Sequence, residues 1–164
     1  MATSPAGAVA GGAPAKPFVR LLGQAVTRVH EDYPDARLLF ANGASPDGPS
    51  QSVEDFGVWR FAFTVEEGTV FLQNEKPWDS SFLVQSVPHH LIGARAIPVP
   101  SVQRDTTDAD KIIKDIGHYA GPYSSIQLSW PLAPGVIEPV YNFKTPNAGY
   151  WSVGVYTGRI SHHA

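Results

Sequence analysis

Val58-Trp59-Arg60-Phe61-Ala62-Phe63-Thr64-Val65 is the stretch that decides the fold class. In an extended chain Trp59, Phe61, Phe63 and Val65 point to one side, and Val58, Arg60, Ala62 and Thr64 to the other. That period of two marks a strand with one face buried. Immediately downstream Glu66-Glu67-Gly68 supplies a turn, and residues 69–72 return as the hairpin partner. A hairpin with one strongly apolar face needs a helix or a second sheet to cover it.

The cover lies upstream. Phe18, Leu21, Leu22, Ala25, Val26 and Val29 recur at i, i+3, i+4 and i+7, with Arg20, Gln24, Thr27, Arg28 and Glu31 opposite. This predicts an amphipathic helix over residues 18–31. Pro17 suits its first turn, and Tyr33-Pro34 forces its end, because the residue before proline avoids helical geometry. Residues 37–41 read as a short strand, followed by a Gly, Ser, Pro and Asp-rich loop over 42–55.

Downstream the pattern recurs in the same order. Residues 74–104 are the least regular part, with apolar weight from Trp78, Phe82, Leu83 and Val84 and restriction from Pro88, Pro98 and Pro100. They read as a crossover packed on the sheet. Ala109, Ile112, Ile113, Ile116 and Ala120 then predict a helix over 107–120, with Thr107 as N-cap, Asp110 completing a capping box, and Gly121-Pro122 as the stop. Strands follow at 125–130, 140–144 and 150–156. Tyr141 and Phe143 occupy the place that Phe61 and Phe63 hold earlier.

The expected fold class is therefore α+β: two helix-plus-antiparallel-hairpin halves sharing one sheet, with the helices packed on one face. The divisions are a flexible tail over 1–16, a first half over 17–73, a connecting segment over 74–104 and a second half over 105–164. Each half alone buries too little surface to be stable.

Residues 25–40, with Tyr33-Pro34-Asp35-Ala36-Arg37, and the ending Tyr156-Thr157-Gly158-Arg159-Ile160 together resemble the PepSY-type domain, a helix followed by antiparallel strands. A tandem pair of such units is similar to the β-lactamase-inhibitory proteins. Those rely on disulfides that this cysteine-free chain does not form. The resemblance implies binding or inhibition in place of catalysis.

Composition narrows the chemistry. Of the 164 residues 43% are hydrophobic and 11% aromatic, ample for a core, while only 16% are charged, below the usual quarter or so. The net charge of −3 and the dispersed Lys and Arg give no footprint for nucleic acid. No stretch reaches the roughly 18 apolar residues of a membrane helix, so a soluble chain is expected, in a compartment the sequence leaves open. The first 17 residues do not place positive charge before a long apolar run, as a secretory signal would. Without cysteine, thiolate catalysis and Cys-ligated zinc are excluded.

Six histidines (His30, His89, His90, His118, His162 and His163) show no H-x₃-H or H-E-x-x-H spacing, and neither a G-x-S-x-G elbow nor a phosphate-binding loop is present. No metal and no cofactor is expected. The aromatic residues Trp59, Trp78, Trp130, Trp151, Tyr141, Tyr150 and Tyr156 either cross-pack in the core, which the pattern favours, or line an open face. Arg60 is the one charge in the aromatic strand. If the connecting segment covers it, Arg60, Trp78, Asp79 and Tyr141 would form a polar spot in an apolar cleft.

Two functions follow as expectations. The first is a non-catalytic binding or inhibitory protein using an aromatic sheet face against a protein partner or itself. The second is a cofactor-independent enzyme of isomerase or cyclase type with a pocket for a small apolar ligand.

Overall fold

The computed structural model describes residues 15–164, so most of the tail expected over 1–16 lies outside the described residues. Helix α1 (Pro17–Asp32) forms where the 3.6-residue periodicity places it and buries Phe18, Leu21, Leu22, Ala25 and Val29. Eight strands accompany the two helices: β1 (Arg37–Ala44), β2 (Val58–Val65), β3 (Gly68–Asn74) and β4 (Phe82–Val87) come before helix α2 (Thr106–Asp115), and β5 (Ser125–Ser129), β6 (Val140–Lys144), β7 (Tyr150–Gly154) and β8 (Ile160–His163) after it. All neighbours are antiparallel, in the order β4-β3-β2-β1-β5-β6-β7-β8.

This overturns the expected pair of helix-plus-hairpin halves. The described chain is mostly one continuous eight-stranded antiparallel sheet with two helices. Two stretches account for the difference. Residues 82–87, read as part of an irregular connection, are a strand, and so are residues 160–163. Both are edge strands with nearly every residue exposed, so no alternation of buried and exposed positions marks them.

Strand register sorts the side chains into rows that cross the sheet. One row on the helix side runs Leu72, Phe61, Ala41, Leu128, Tyr141, Val153, and the next runs Asn74, Trp59, Gly43, Ile126, Phe143, Trp151. The helices close over these rows: Phe18 packs on Trp59 with ring centroids 4.3 Å apart and on Tyr141 at 5.8 Å. Gly43 is required at its place, because a Cβ there would lie 2.5 Å from the Trp59 ring. Asn74 is buried in the same row. Its carbonyl accepts from the Trp59 N–H at 2.7 Å and its amide donates to the Gly57 and Lys76 carbonyls.

Helix α2 is shorter than expected and starts one residue earlier. Its N-cap is Asp105, not Thr107, and the capping box is closed by Asp108, not Asp110. Asp105 is fully buried and serves both helices. Oδ1 accepts from the Val19 N–H in the first turn of α1 at 2.8 Å, and Oδ2 accepts from the Thr107 N–H at 3.1 Å. Asp110 instead joins the helix to the sheet side, accepting from the Tyr123 hydroxyl at 2.6 Å and from Lys114 Nζ at 2.9 Å. Burial first, and then that bond to Asp110, pushes the Tyr123 phenol well above its ordinary value.

The connecting segment leaves β4 and wraps one end of the sheet. The Thr69 hydroxyl donates to the His89 carbonyl at 2.6 Å, the Arg95 N–H to the Trp130 carbonyl at 2.9 Å, and the Ile97 N–H to the Leu38 carbonyl at 2.8 Å. No helix of the described residues is long and apolar enough to cross a membrane.

Candidate functional site

Because both helices cover one side of the sheet, the other side is left to the residues between the core positions. Register aligns them. Leu83, Gln73, Arg60, Asn42, Gln127, Asn142, Ser152 and Ser161 stand next to one another across all eight strands, each paired with the next. Seven of these eight carry amide, hydroxyl or guanidinium groups. In the four central strands Arg60, Asn42, Gln127 and Asn142 are each flanked by two buried residues of their strand, as Asn142 is by Tyr141 and Phe143. The row is therefore a by-product of period two, brought into line by strand pairing.

The middle of this face dips into a shallow cleft of about 320 Å³ lined by Asn42, Ser125, Gln127, Asn142, Lys144 and Tyr150. Within it the Ser152 hydroxyl donates to Asn142 Oδ1 at 2.5 Å, and the Tyr150 ring is stacked on His163 with centroids 4.6 Å apart. Towards β3 the Arg60 guanidinium lies 4.0 Å above the Phe71 ring, an arrangement that keeps the charge in place at the surface. No aspartate or glutamate occurs in any of the eight strands, whereas Arg37, Arg60 and Lys144 do. The sheet is thus free of carboxylates in a chain whose net charge is −3.

Of Arg60, Trp78, Asp79 and Tyr141, which the sequence groups as one polar spot, Arg60 alone stands on this face. Tyr141 lies on the helix side, fully buried, with its hydroxyl donating to the Arg104 carbonyl at 2.6 Å. Burial, with the nearby Asp105 and Asp108 charges adding, pushes its phenol well above the ordinary value, so it is a neutral structural donor. Trp78 and Asp79 are together, beside Pro17, Arg20 and Gln24 at a cleft of about 380 Å³ against α1. The Trp78 indole donates to the Glu54 carbonyl at 2.8 Å. The sheet itself separates Arg60 from Tyr141, so the four residues do not share one cleft. Of the aromatic residues that were candidates for an open face, Trp59, Trp130 and Tyr141 are core, whereas Tyr150 lines the cleft of the helix-free face and Tyr156 is exposed. The amides Asn42, Gln127 and Asn142 were not singled out, though their place between apolar neighbours was a legible signal.

An apolar groove of about 480 Å³ lies elsewhere, between α1 and the connecting segment, lined chiefly by Val26, Leu38, Phe63, Ile97 and Val99 with His30 at its side. The His30 ring is engaged with the Ala36 carbonyl at 3.0 Å. Among the described residues no three His, Asp or Glu side chains are grouped to hold a metal ion.

No family model matches the chain, and no curated protein matches it in sequence. The fold is similar to that in the crystal structure of a candidate lipoprotein from Clostridium difficile 630, with a TM-score of 0.52 and 10% identity over 85% of this chain and 89% of that one. At that identity the likeness is one of fold alone.

Proposed function

We propose that this chain is a non-catalytic binding or inhibitory protein that receives a protein partner on the helix-free face of its sheet. The observation that carries the reading is the in-register polar row from Gln73 to Ser161, which gives one surface spanning seven strands. Rigid strands fix the spacing of its amides and hydroxyls, so little ordering is needed when a partner docks. The partner's matching surface is neutral to acidic, because Arg60 and Lys144 stand on the face and the strands hold no carboxylate. In contrast to the aromatic docking face expected from composition, the contact here is polar.

The test is capture from the native extract, with bound proteins identified after cross-linking. Gln127→Glu together with Asn42→Glu puts two carboxylates in the centre of the face. A partner held by the wild type and by a helix-side variant such as Gln24→Glu, lost with the double variant and weakened by salt, is the expected result. A partner retained by the double variant, or lost only with the helix-side change, overturns the reading.

A further inference from the structure

The two edges of the sheet differ in kind. The β8 edge is four residues long and carries His162 and His163, whose rings are stacked on Trp151 and Tyr150. The β4 edge is six residues long, Phe82-Leu83-Val84-Gln85-Ser86-Val87, with no charge and no proline. Its Leu83 is 60% exposed and Val84 38%. Among the described residues nothing pairs with its outer side. Natural sheets guard their edges with charge, proline, bulges or a covering segment; β4 has no charge, no proline and an unbroken register with β3, and among the described residues no strand covers it. Its unpaired backbone N–H and C=O groups are a template for one more strand.

We propose that β4 is a self-pairing edge: two copies of this chain join β4 to β4 antiparallel about a twofold axis, making one doubled sheet. Three features select a second copy. First, the strand is uncharged, so two copies meet without like-charge repulsion at the contact. Second, it has the composition of strands that pair with themselves, apolar and β-branched with one amide. Third, pairing of β4 with β4 closes. Pairing of β4 with the β8 of another copy would be head-to-tail and would grow without limit. The dimer sets two helix-free faces side by side. The proposal stands whether or not that face binds a partner.

A contact of one strand pair is small, so self-association is looked for by sedimentation over about 10 to 500 μM protein. The expected species has about twice the 17.7 kDa mass of the chain. Leu83→Lys with Gln85→Lys, both at exposed positions, sets like charges opposite one another and shifts the protein to monomer with its thermal midpoint kept. Ser161→Lys on the β8 edge leaves the dimer intact. Hydrogen exchange gives a readout independent of any variant: β4 amides slow with rising concentration while β8 amides do not. A monomer throughout this range, an open-ended polymer, or a dimer that survives the β4 double variant and dissolves with the β8 variant overturns the proposal.

Discussion

At the scale of single residues, Trp59 shows how much one position holds. Its ring is fully buried against Phe18 and Gly43, and its indole donates to the Phe56 carbonyl at 2.6 Å. Trp59→Ala should therefore cost about 3–5 kcal/mol, the range for truncating a large aromatic in a core. A urea midpoint left within error of the wild type would show that the ring is not a core element. Glu138 is the residue whose contribution depends on pH. Its carboxylate accepts from the Tyr156 N–H at 2.7 Å, the Thr157 N–H at 2.9 Å and the Thr157 hydroxyl at 2.6 Å. Burial acts to raise its pKa, but these bonds and the Arg159 charge outweigh burial and hold it below the ordinary carboxylate value of 4.5. The stabilisation is then fully present above that value and is lost as pH falls through the lower, folded-state pKa. Glu138→Gln should lose about 1–3 kcal/mol at neutral pH, as for hydrogen bonds to a charged group. The gap to wild type should narrow as pH falls through that lower, folded-state value, since both side chains are then neutral; denaturant melts at neutral and at acid pH check it.

At the scale of elements, both helices start from one carboxylate. Asp105 gives one oxygen to α1 and the other to α2, so neither can be exchanged for an amide NH₂ without setting donor against donor. Asp105→Asn should consequently destabilise nearly as much as Asp105→Ala, by about 0.5–2 kcal/mol for each cap lost. Thermal melts of the two variants side by side test this. An Asn variant as stable as wild type would mean that only one of the two caps matters. The capping box was legible in kind, since Asp105 and Asp108 have the spacing of an N-cap and N3 pair. Its position was not, because Thr107 with Asp110 has the same spacing, and only the packing of α2 against α1 chooses between them. Strands β2 and β6 were legible to the residue because large apolar side chains recur at every second position, and those are buried. Strand β4 was not, because an edge strand off the core follows no such rule.

At the scale of the whole molecule, β1 and β5 form the seam. Residues 40–43 pair with 126–129, and beyond this pairing the core rows continue from Trp59 and Phe61 to Tyr141 and Phe143. A fragment of residues 17–104 would expose the inner edge of β1 and lose the partners that Phe18 has in the second part of the chain. It should show no cooperative melt, whereas a sharp two-state transition would mean that the seam contributes little. The same seam makes the binding face: Asn42 and Gln127 are neighbours only because β1 and β5 pair. Changes to that face should leave the melt in place, since its side chains contribute little to the core.

Local physics was enough for several features. The 3.6-residue periodicity places α1, the period of two places β2 and β6, and the absence of cysteine removes disulfide and thiolate chemistry. Those features depend on which side of a short segment is apolar, and neighbours in sequence carry that information. Tertiary structure alone decided that the chain makes one continuous eight-stranded sheet, that Tyr141 and Arg60 lie on opposite sides of it, and that polar side chains from seven strands stand in one row. Register between strands distant in sequence is set by how whole apolar faces fit against the two helices. A slip of one residue would turn every core side chain outward, so the choice is sharp in the folded molecule and invisible in any single strand.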